Sequence, residues 1–555
     1  MLLGTGVPTS AGGAVTSVNN AIKNSVVPAT SRRYYGLYVQ DTWRANSRLT
    51  VNYGVRWETQ RASTERFNRY NYFDFNAVNP LSQRTGLNLK GGLVFVSDKN
   101  RFQTEPDNFD FAPRIGIAYK LSNRIVARMG YGIFYLQGFG TATQGGPAAG
   151  TDGFTVTTSW VNTKGGDGIT PQDRLANPYP NGVNKAVGSS LGLLTQTGSD
   201  LTAFQRSHPT GYVQNYSIDL QFEVTRSSIV EVGYSGNGGR KLNYGATPNA
   251  NQLPTQLLST GATLNDQVPN PFFGIFPTGI LSGATVPRHR LLRPYPQFGT
   301  VEMSGDTPGA TSNFNALYLK FNKRFAGGLS TMTSYQFSKA IDNASENQGW
   351  LIGEAMRDYY NTKLDRSISG HDVPQSFVSA LVYEVPVGKG RKYGSSMNKV
   401  AQAMVGGWEL SAIIRFASGL PLRFVAPNSL SPYGFNILNA NIGNLPDLKV
   451  SNPVPERWFN TTAVTAPAPF TLGNAPRYQG VIRADGTHHG DVNLAKNFQI
   501  TERIKAQLRG EFYDISNTPQ FSPPGVTVGA ADFGQVNGTR FSDRRNVQVG
   551  LKILF

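Results

Sequence analysis

The 555-residue chain has no cysteine, which excludes disulfides, thiolate metal sites and cysteine nucleophiles together. It also lacks any uninterrupted apolar run of the roughly 18 residues that a membrane-spanning helix needs. Charge is sparse, with Asp, Glu, Lys and Arg at 16% of the chain, against 11% aromatics and 61 glycines. That balance suits a polar, weakly charged β-protein rich in turns. The opening MLLGTGVPTSAGGAVTSVNN has no positively charged stretch ahead of an apolar core, so it is not a secretory signal peptide, and an exported form is expected to start upstream. Acidic residues are outnumbered, giving a net charge of +17. The basic residues are scattered rather than gathered into runs, which argues against nucleic acid and toward lipid phosphate or an anionic ligand.

What is present is alternation. In RNVQVGLKILF at the C-terminus, Val547, Val549, Leu551, Ile553 and Phe555 fall on one face and Asn546, Gln548, Gly550 and Lys552 on the other, the period of a strand with one apolar side. Leu49, Val51, Tyr53, Val55 and Trp57 alternate with Thr50, Asn52, Gly54, Arg56 and Glu58. The same pattern runs through 215–224 and 505–512. A mean hydropathy of -0.31 does not count against a membrane, because a barrel strand presents only every second residue to lipid. Alternation alone leaves a soluble sandwich and a membrane barrel both open.

The connections separate them. Candidate strands pair across very short links: 33–44 with 48–60, 111–121 with 124–136, 211–225 with 228–236, 314–325 with 328–340, and 491–500 with 502–515. Tight antiparallel hairpins follow. Between hairpins lie long stretches rich in Gly, Pro, Asn and Thr at 137–210, 237–313 and 423–490. Short periplasmic turns alternating with long extracellular loops are the habit of outer-membrane barrels, whereas compact soluble domains seldom carry so many long irregular loops. The link 387–405 breaks the rule, being long where a turn is expected. Roughly thirteen strands of about ten residues are predicted, each long enough to cross the hydrocarbon layer when tilted. The fold class is therefore all-β, a large antiparallel transmembrane barrel with long extracellular loops. Residues 31–555 form the barrel domain, and 1–30 a poorly structured segment leading into it.

Several stretches, in this order and spacing, resemble the Oar-like group of TonB-dependent outer-membrane receptors. They include YYGLYVQDTWRANSRLTVNYGVRWE (34–58), NFDFAPRIGIAYKL (108–121), LLRPYPQF (291–298), LYLKFNKRFAGGLSTMTSYQFSKAID (317–342), GGWELSAIIRFASGLPL (406–422) and KNFQITERIKAQLRGEFYDISNTPQF (496–521). The resemblance covers nearly the whole chain from about residue 31. It implies the barrel region of a transporter in the 22-stranded class, with a plug in the lumen. It also implies energy coupling to TonB through N-terminal segments that are not in this chain, and function as a surface receptor for uptake. A role in surface adhesion or secretion without nutrient uptake is the alternative. No enzymatic activity and no cofactor are implied. The expected surroundings are outer-membrane lipid and lipopolysaccharide.

Particular residues invite readings of their own. Val547, Val549, Leu551, Ile553 and Phe555 resemble the C-terminal signal recognised by the barrel-assembly machinery, a strand-addition event. Arg56, Arg128, Lys320, Arg324, Arg415 and Arg509 fall on polar strand faces and are expected to line the lumen, in structural ion pairs first and as anion guides second. His488 and His489 beside Asp491 have metal-ligand chemistry, but adjacent residues of an extended chain point to opposite sides. His371, Asp372 and Ser376 lack the strained elbow of a hydrolase nucleophile. GNGGR (236–240) and GKGRK (388–392) lack the helix of a phosphate loop and read as hairpin ends or turns.

Overall fold

The computed structural model describes residues 21–24, 26–136, 150–159, 172, 176–177, 179–244, 248–303, 307–345, 355–501, 503–540 and 545–555. Thirteen long strands build one antiparallel sheet in chain order. They are β1 (Tyr34–Arg44), β2 (Leu49–Gln60), β3 (Asp110–Lys120), β4 (Ile125–Tyr135), β5 (Tyr212–Thr225), β6 (Ser228–Asn243) and β7 (Pro308–Ala326). β8 (Leu329–Asp342), β9 (Gln375–Glu384), β10 (Trp408–Ala417), β11 (Thr487–Gln499), β12 (Lys505–Tyr513) and β13 (Asn546–Leu554) continue it. The two-residue strand Ser367–Ile368 joins β8 as the fourteenth. Among the described residues, β1 and β13 pair on one side only, and both are exposed along almost their whole length.

Register keeps two faces apart across the whole sheet. Glu231, Lys320, Ser334, Val378, Arg415 and His489 face one another in one row from β6 to β11. The adjacent row is Val232, Leu319, Tyr335, Phe377, Phe416 and His488. A one-residue slip anywhere would exchange the two sets, so the patterning itself pins the pairing. Turn chemistry helps: β7 and β8 are joined by Gly327 and Gly328, both at positive φ (63° and 83°), as a two-residue turn matching the strand twist requires.

The apolar row is solvent-accessible rather than packed. Leu319 is 46% exposed, Ile218 45% and Leu551 67%, and the same holds along the apolar face of most strands. A soluble protein does not leave a face this large uncovered; in a bilayer it is the lipid-contacting surface.

The buried core lies elsewhere, over the long-link end of the sheet. Phe73 and Leu93 from 61–109, Leu201 from 136–211, and Phe298 and Val301 from 244–307 form one cluster. Leu253 and Leu258 join Leu430 and Phe435 in another, and Leu422, Phe424 and Phe459 anchor a third within 418–486. These stretches, expected as irregular loops, are instead interlocked and carry short strand pairs such as Asn71–Val78 with Lys90–Phe95. Burying each Phe or Leu stabilises by about 1.5–3 kcal/mol, which is how chain without strand periodicity becomes ordered. The strands feed this assembly directly: β6 has 16 residues and β7 has 19, well beyond the roughly ten needed to cross. GNGGR is accordingly not a hairpin end but lies inside β6. A Cβ on Gly236 would come within 2.7 Å of the Tyr216 ring and of Asn315 Oδ1, so the glycine makes room for its cross-strand neighbours.

Of residues 1–30, 1–20 and 25 lie outside the described residues. Ala21–Asn24 pairs with Val156–Ser159, and Thr30–Ser31 with Thr64–Glu65.

Candidate functional site

All six cations singled out from the sequence sit on the polar face. Arg56 pairs with Glu58 at 2.9 Å and donates to Tyr34 Oη at 2.5 Å. Arg128 on β4 lies opposite Asp219 on β5 at 3.7 Å and donates to Gln221 Oε1 at 2.6 Å. Lys320 meets its register partner Glu231 at 2.9 Å, with its ammonium 4.3 Å from the Tyr318 ring centre. Arg509 meets Glu511, two residues along the same strand face, at 3.3 Å. Arg324 and Arg415 have no ion-pair partner among the described residues. Arg324 lines a recess of about 640 Å³ together with Met332, Ala380, Ile413, Asp491 and Glu511. Met332 and Ile413 are more than half exposed there, an apolar patch on the otherwise polar face.

Sequence reasoning missed the acidic partners: Asp219 and Glu231 become visible only with register, whereas Glu58 and Glu511 stand two residues from their arginines on the same strand face, a spacing the alternation already offered. It also missed Arg114, whose guanidinium stands 4.5 Å over the Phe134 ring. Of the paired histidines, His489 is on the polar face with Nε2 3.0 Å from Asp491 Oδ1, while His488 is on the apolar face beside Phe416. Asp372 is buried, accepting from the Ala340 N–H at 2.7 Å and from Arg483 at 2.6 Å, and Ser376 lies on the polar face of β9. GKGRK sits in the link after β9, with Gly388 and Gly390 at positive φ.

The terminal residues Val547, Val549, Leu551 and Ile553 share the exposed apolar face of β13, paired through β12 to Phe512, Gly510, Leu508 and Ala506. Phe555 follows, 99% exposed.

Above the wall, buried arginines clamp one loop to the next. Arg477, 1% exposed, meets the Asp342 carboxylate and donates to the Asp365 carbonyl at 2.9 Å and to Ser345 Oγ at 3.1 Å. Arg357 donates to the carbonyls of Gly473 and Ala475, each at 3.2 Å. Arg293 reaches the Pro432 carbonyl at 2.5 Å. In the resembling motif 291–298, Gln297 donates to the Lys90 carbonyl at 2.7 Å, and the Tyr295 N–H donates to Asn251 Oδ1 at 2.9 Å. Burial pulls the guanidinium pKa of Arg477 and of Arg293 down to about 10; both remain charged at neutral pH. His289 is held neutral, with burial first and the charges of Arg293 and Arg290 next taking its pKa down to about 4.

An antiparallel wall with one exposed apolar face, one ion-paired polar face, short links at one end and a packed loop assembly at the other defines the class of transmembrane β-barrel proteins. The outer membrane beta barrel domain family matches residues 6–548, and the chain belongs to that family; its place is the outer membrane. Among solved structures, it is similar to the ferripyoverdine receptor of the Pseudomonas aeruginosa outer membrane, at 9% identity and a TM-score of 0.37, over 95% of this chain and 39% of that one. The siderophore receptor PiuA from Acinetobacter baumannii matches at 7% identity and a TM-score of 0.39, over 95% and 43%. The ferric yersiniabactin uptake receptor FyuA from Yersinia pestis matches at 9% and 0.38, over 95% and 46%. The chain thus spans less than half the length of these receptors. No curated protein matches it.

Proposed function

We propose that residues 31–555 form the barrel portion of a TonB-dependent outer-membrane receptor that binds a ligand at the cell surface and passes it inward, with no chemistry performed on it. The observation that carries this reading is the division of labour in one wall: an exposed apolar face, a polar face on which four of the six cations are ion-paired, and a packed loop assembly at one end only. The long-link end faces the outside and its loops meet ligand and lipopolysaccharide; the end carrying Phe555 faces the periplasm. Arg56, Arg128, Lys320 and Arg509 serve the wall in ion pairs. Arg324, beside the apolar recess, and Arg415 are left to meet a plug or an anionic cargo. Coupling to TonB would supply the energy for passage inward. Val547, Val549, Leu551, Ile553 and Phe555 address it to the barrel-assembly machinery.

The test is accumulation of radiolabelled ferric siderophores, ferripyoverdine and ferric yersiniabactin among them, by cells expressing the complete gene. Uptake that collapses on loss of TonB supports the reading. Equal accumulation with and without the gene, together with a surface-attachment defect on deletion, would favour the adhesion or secretion role instead.

A further inference from the structure

The link 385–407 is the one long connection at the turn end of the wall, and the structure shows what occupies it. Asn398 caps the helix Lys399–Val405, its side-chain oxygen accepting the Ala401 N–H at 2.8 Å. Val400 and Met404 are one turn apart and share a face. They are 69% and 63% exposed, with Val405 and Tyr393 also exposed. The helix does not swing free. Trp408 Nε1 donates to the Met404 carbonyl at 3.0 Å, Lys496 Nζ bonds the carbonyls of Met404 and Gly406, and the Lys389 N–H is received by Gln402 Oε1 at 2.6 Å.

Trp408 and Lys496 are register partners on the apolar face, at the foot of β10 and β11. The Lys496 ammonium stands 5.1 Å from the Trp408 ring centre. The helix is therefore tied to the rim of the lipid-facing surface, and its exposed apolar residues continue that surface past the strand ends. The same link carries Lys389, Arg391, Lys392 and Lys399 and no acidic residue. Arg391 is engaged by Glu384 at 2.5 Å, leaving three lysines uncommitted to ion pairs among the described residues.

We propose that the link 385–407 is an interfacial lipid anchor. Val400, Met404 and Tyr393 enter the boundary between headgroups and acyl chains at the turn-end rim, while Lys389, Lys392 and Lys399 hold the phosphates of anionic phospholipids. Apolar residues beside a basic cluster are the pattern of a helix lying in the membrane plane, and anionic headgroups attract juxtamembrane lysines. A partner protein is disfavoured by continuity: a patch joined to the acyl-contacting face already meets lipid. The inference rests on the wall reading proposed above, and the experiment tells the two apart.

Because the chain has no cysteine, single labelling sites are clean. Spin labels are placed on Val400→Cys and Met404→Cys, with Leu319→Cys as the lipid-face control and Ser334→Cys as the polar-face control. The full chain is reconstituted in phosphatidylcholine nanodiscs with phosphatidylglycerol, and collision rates with oxygen and a water-soluble nickel chelate are measured. Labels at 400 and 404 are expected to favour oxygen several-fold more than the Ser334→Cys label does. If they match that control while Leu319→Cys is lipid-exposed, the anchor is wrong and the wall is right; if Leu319→Cys is aqueous too, both fall. In native mass spectrometry, the triple variant Lys389→Gln, Lys392→Gln, Lys399→Gln is expected to retain several-fold less phosphatidylglycerol than the wild type. Equal retention would overturn the phosphate-binding half.

Discussion

Replacing Arg477 by Met leaves the Asp342 carboxylate, itself only 5% exposed, beside Ser345 and without its ion-pair partner. Ser345 Oγ still donates to both oxygens of Asp342, at 3.0 and 2.9 Å, so the carboxylate is hydrogen-bonded but uncompensated. Removing one partner of a buried pair costs about 3–5 kcal/mol. The Asp365 carbonyl also loses its 2.9 Å hydrogen bond, adding about 1 kcal/mol. The strain should appear locally, because the pair joins the end of β8 to 473–484 above the wall, while the wall's hydrogen bonds are untouched. At roughly 1.4 kcal/mol per tenfold, amides of 355–374 and 473–484 should exchange at least about a hundredfold faster, with strand amides unchanged. Adding Asp342→Leu should recover a large part of the loss, since a buried pair replaced by apolar groups is often near neutral. Hydrogen exchange by mass spectrometry in nanodiscs reads all three proteins. Unchanged loop exchange in Arg477→Met would refute the idea that the buried pair locks the loops, and a double variant worse than the sum of the singles would refute the electrostatic account.

Three further outcomes are expected. Leu319→Arg, on the lipid face midway along β7, should lower folding stability in lipid by about 2–4 kcal/mol, whereas Ser334→Arg on the polar face should cost far less; denaturant titration of refolding into vesicles compares them. His289 is buried beside Arg290 and Arg293 and neutral when folded, with its pKa lowered from 6.5 to about 4. A lowered histidine contributes stability that is complete above 6.5 and lost as pH falls toward 4, on the order of 3 kcal/mol in total. Exchange of 288–300 should accelerate between pH 7 and pH 4.5, and His289→Gln should flatten that dependence. Phe555→Ala should reduce the folded, heat-modifiable form in outer-membrane fractions several-fold without changing synthesis; wild-type levels of the folded form would count against an assembly signal.

The wall was legible because its physics is local and periodic. Thr50 to Glu58 against Leu49 to Trp57 needs only alternation to be read, and β1 to β4 fall within a residue or two of their predicted ends. The loop assembly was not legible, because nothing periodic encodes it. Asn251 fixes 295–299 by donating to the carbonyls of Tyr295 at 2.9 Å and Gly299 at 2.7 Å, and Gln297 reaches back more than two hundred residues to Lys90. Such side-chain-to-backbone bonds are chosen by tertiary position, so Asn, Gln and Arg in Gly-rich sequence look like solvated loop until the fold brings their acceptors in. The extension of β6 through GNGGR was hidden for a related reason: glycine signals a turn, and only the ring of Tyr216 shows why small residues are needed inside a strand.

The apolar face also carries polar groups, and how they are treated bears on the membrane reading. Asp41 on β1 accepts from Tyr53 Oη at 3.2 Å, and Asn315 on β7 accepts from Tyr216 Oη at 2.6 Å and Tyr234 Oη at 2.8 Å. Lys496 turns its ammonium into the carbonyls closing the helix Lys399–Val405. On a surface bathed in water these groups would need no protein partner. In hydrocarbon or at its boundary each unsatisfied polar group costs several kcal/mol, and tyrosine is suited to the task because its ring is apolar and its hydroxyl is not. Asp41, Asn315 and Lys496 have each found such a partner on the apolar face, as a polar group in or beside hydrocarbon requires.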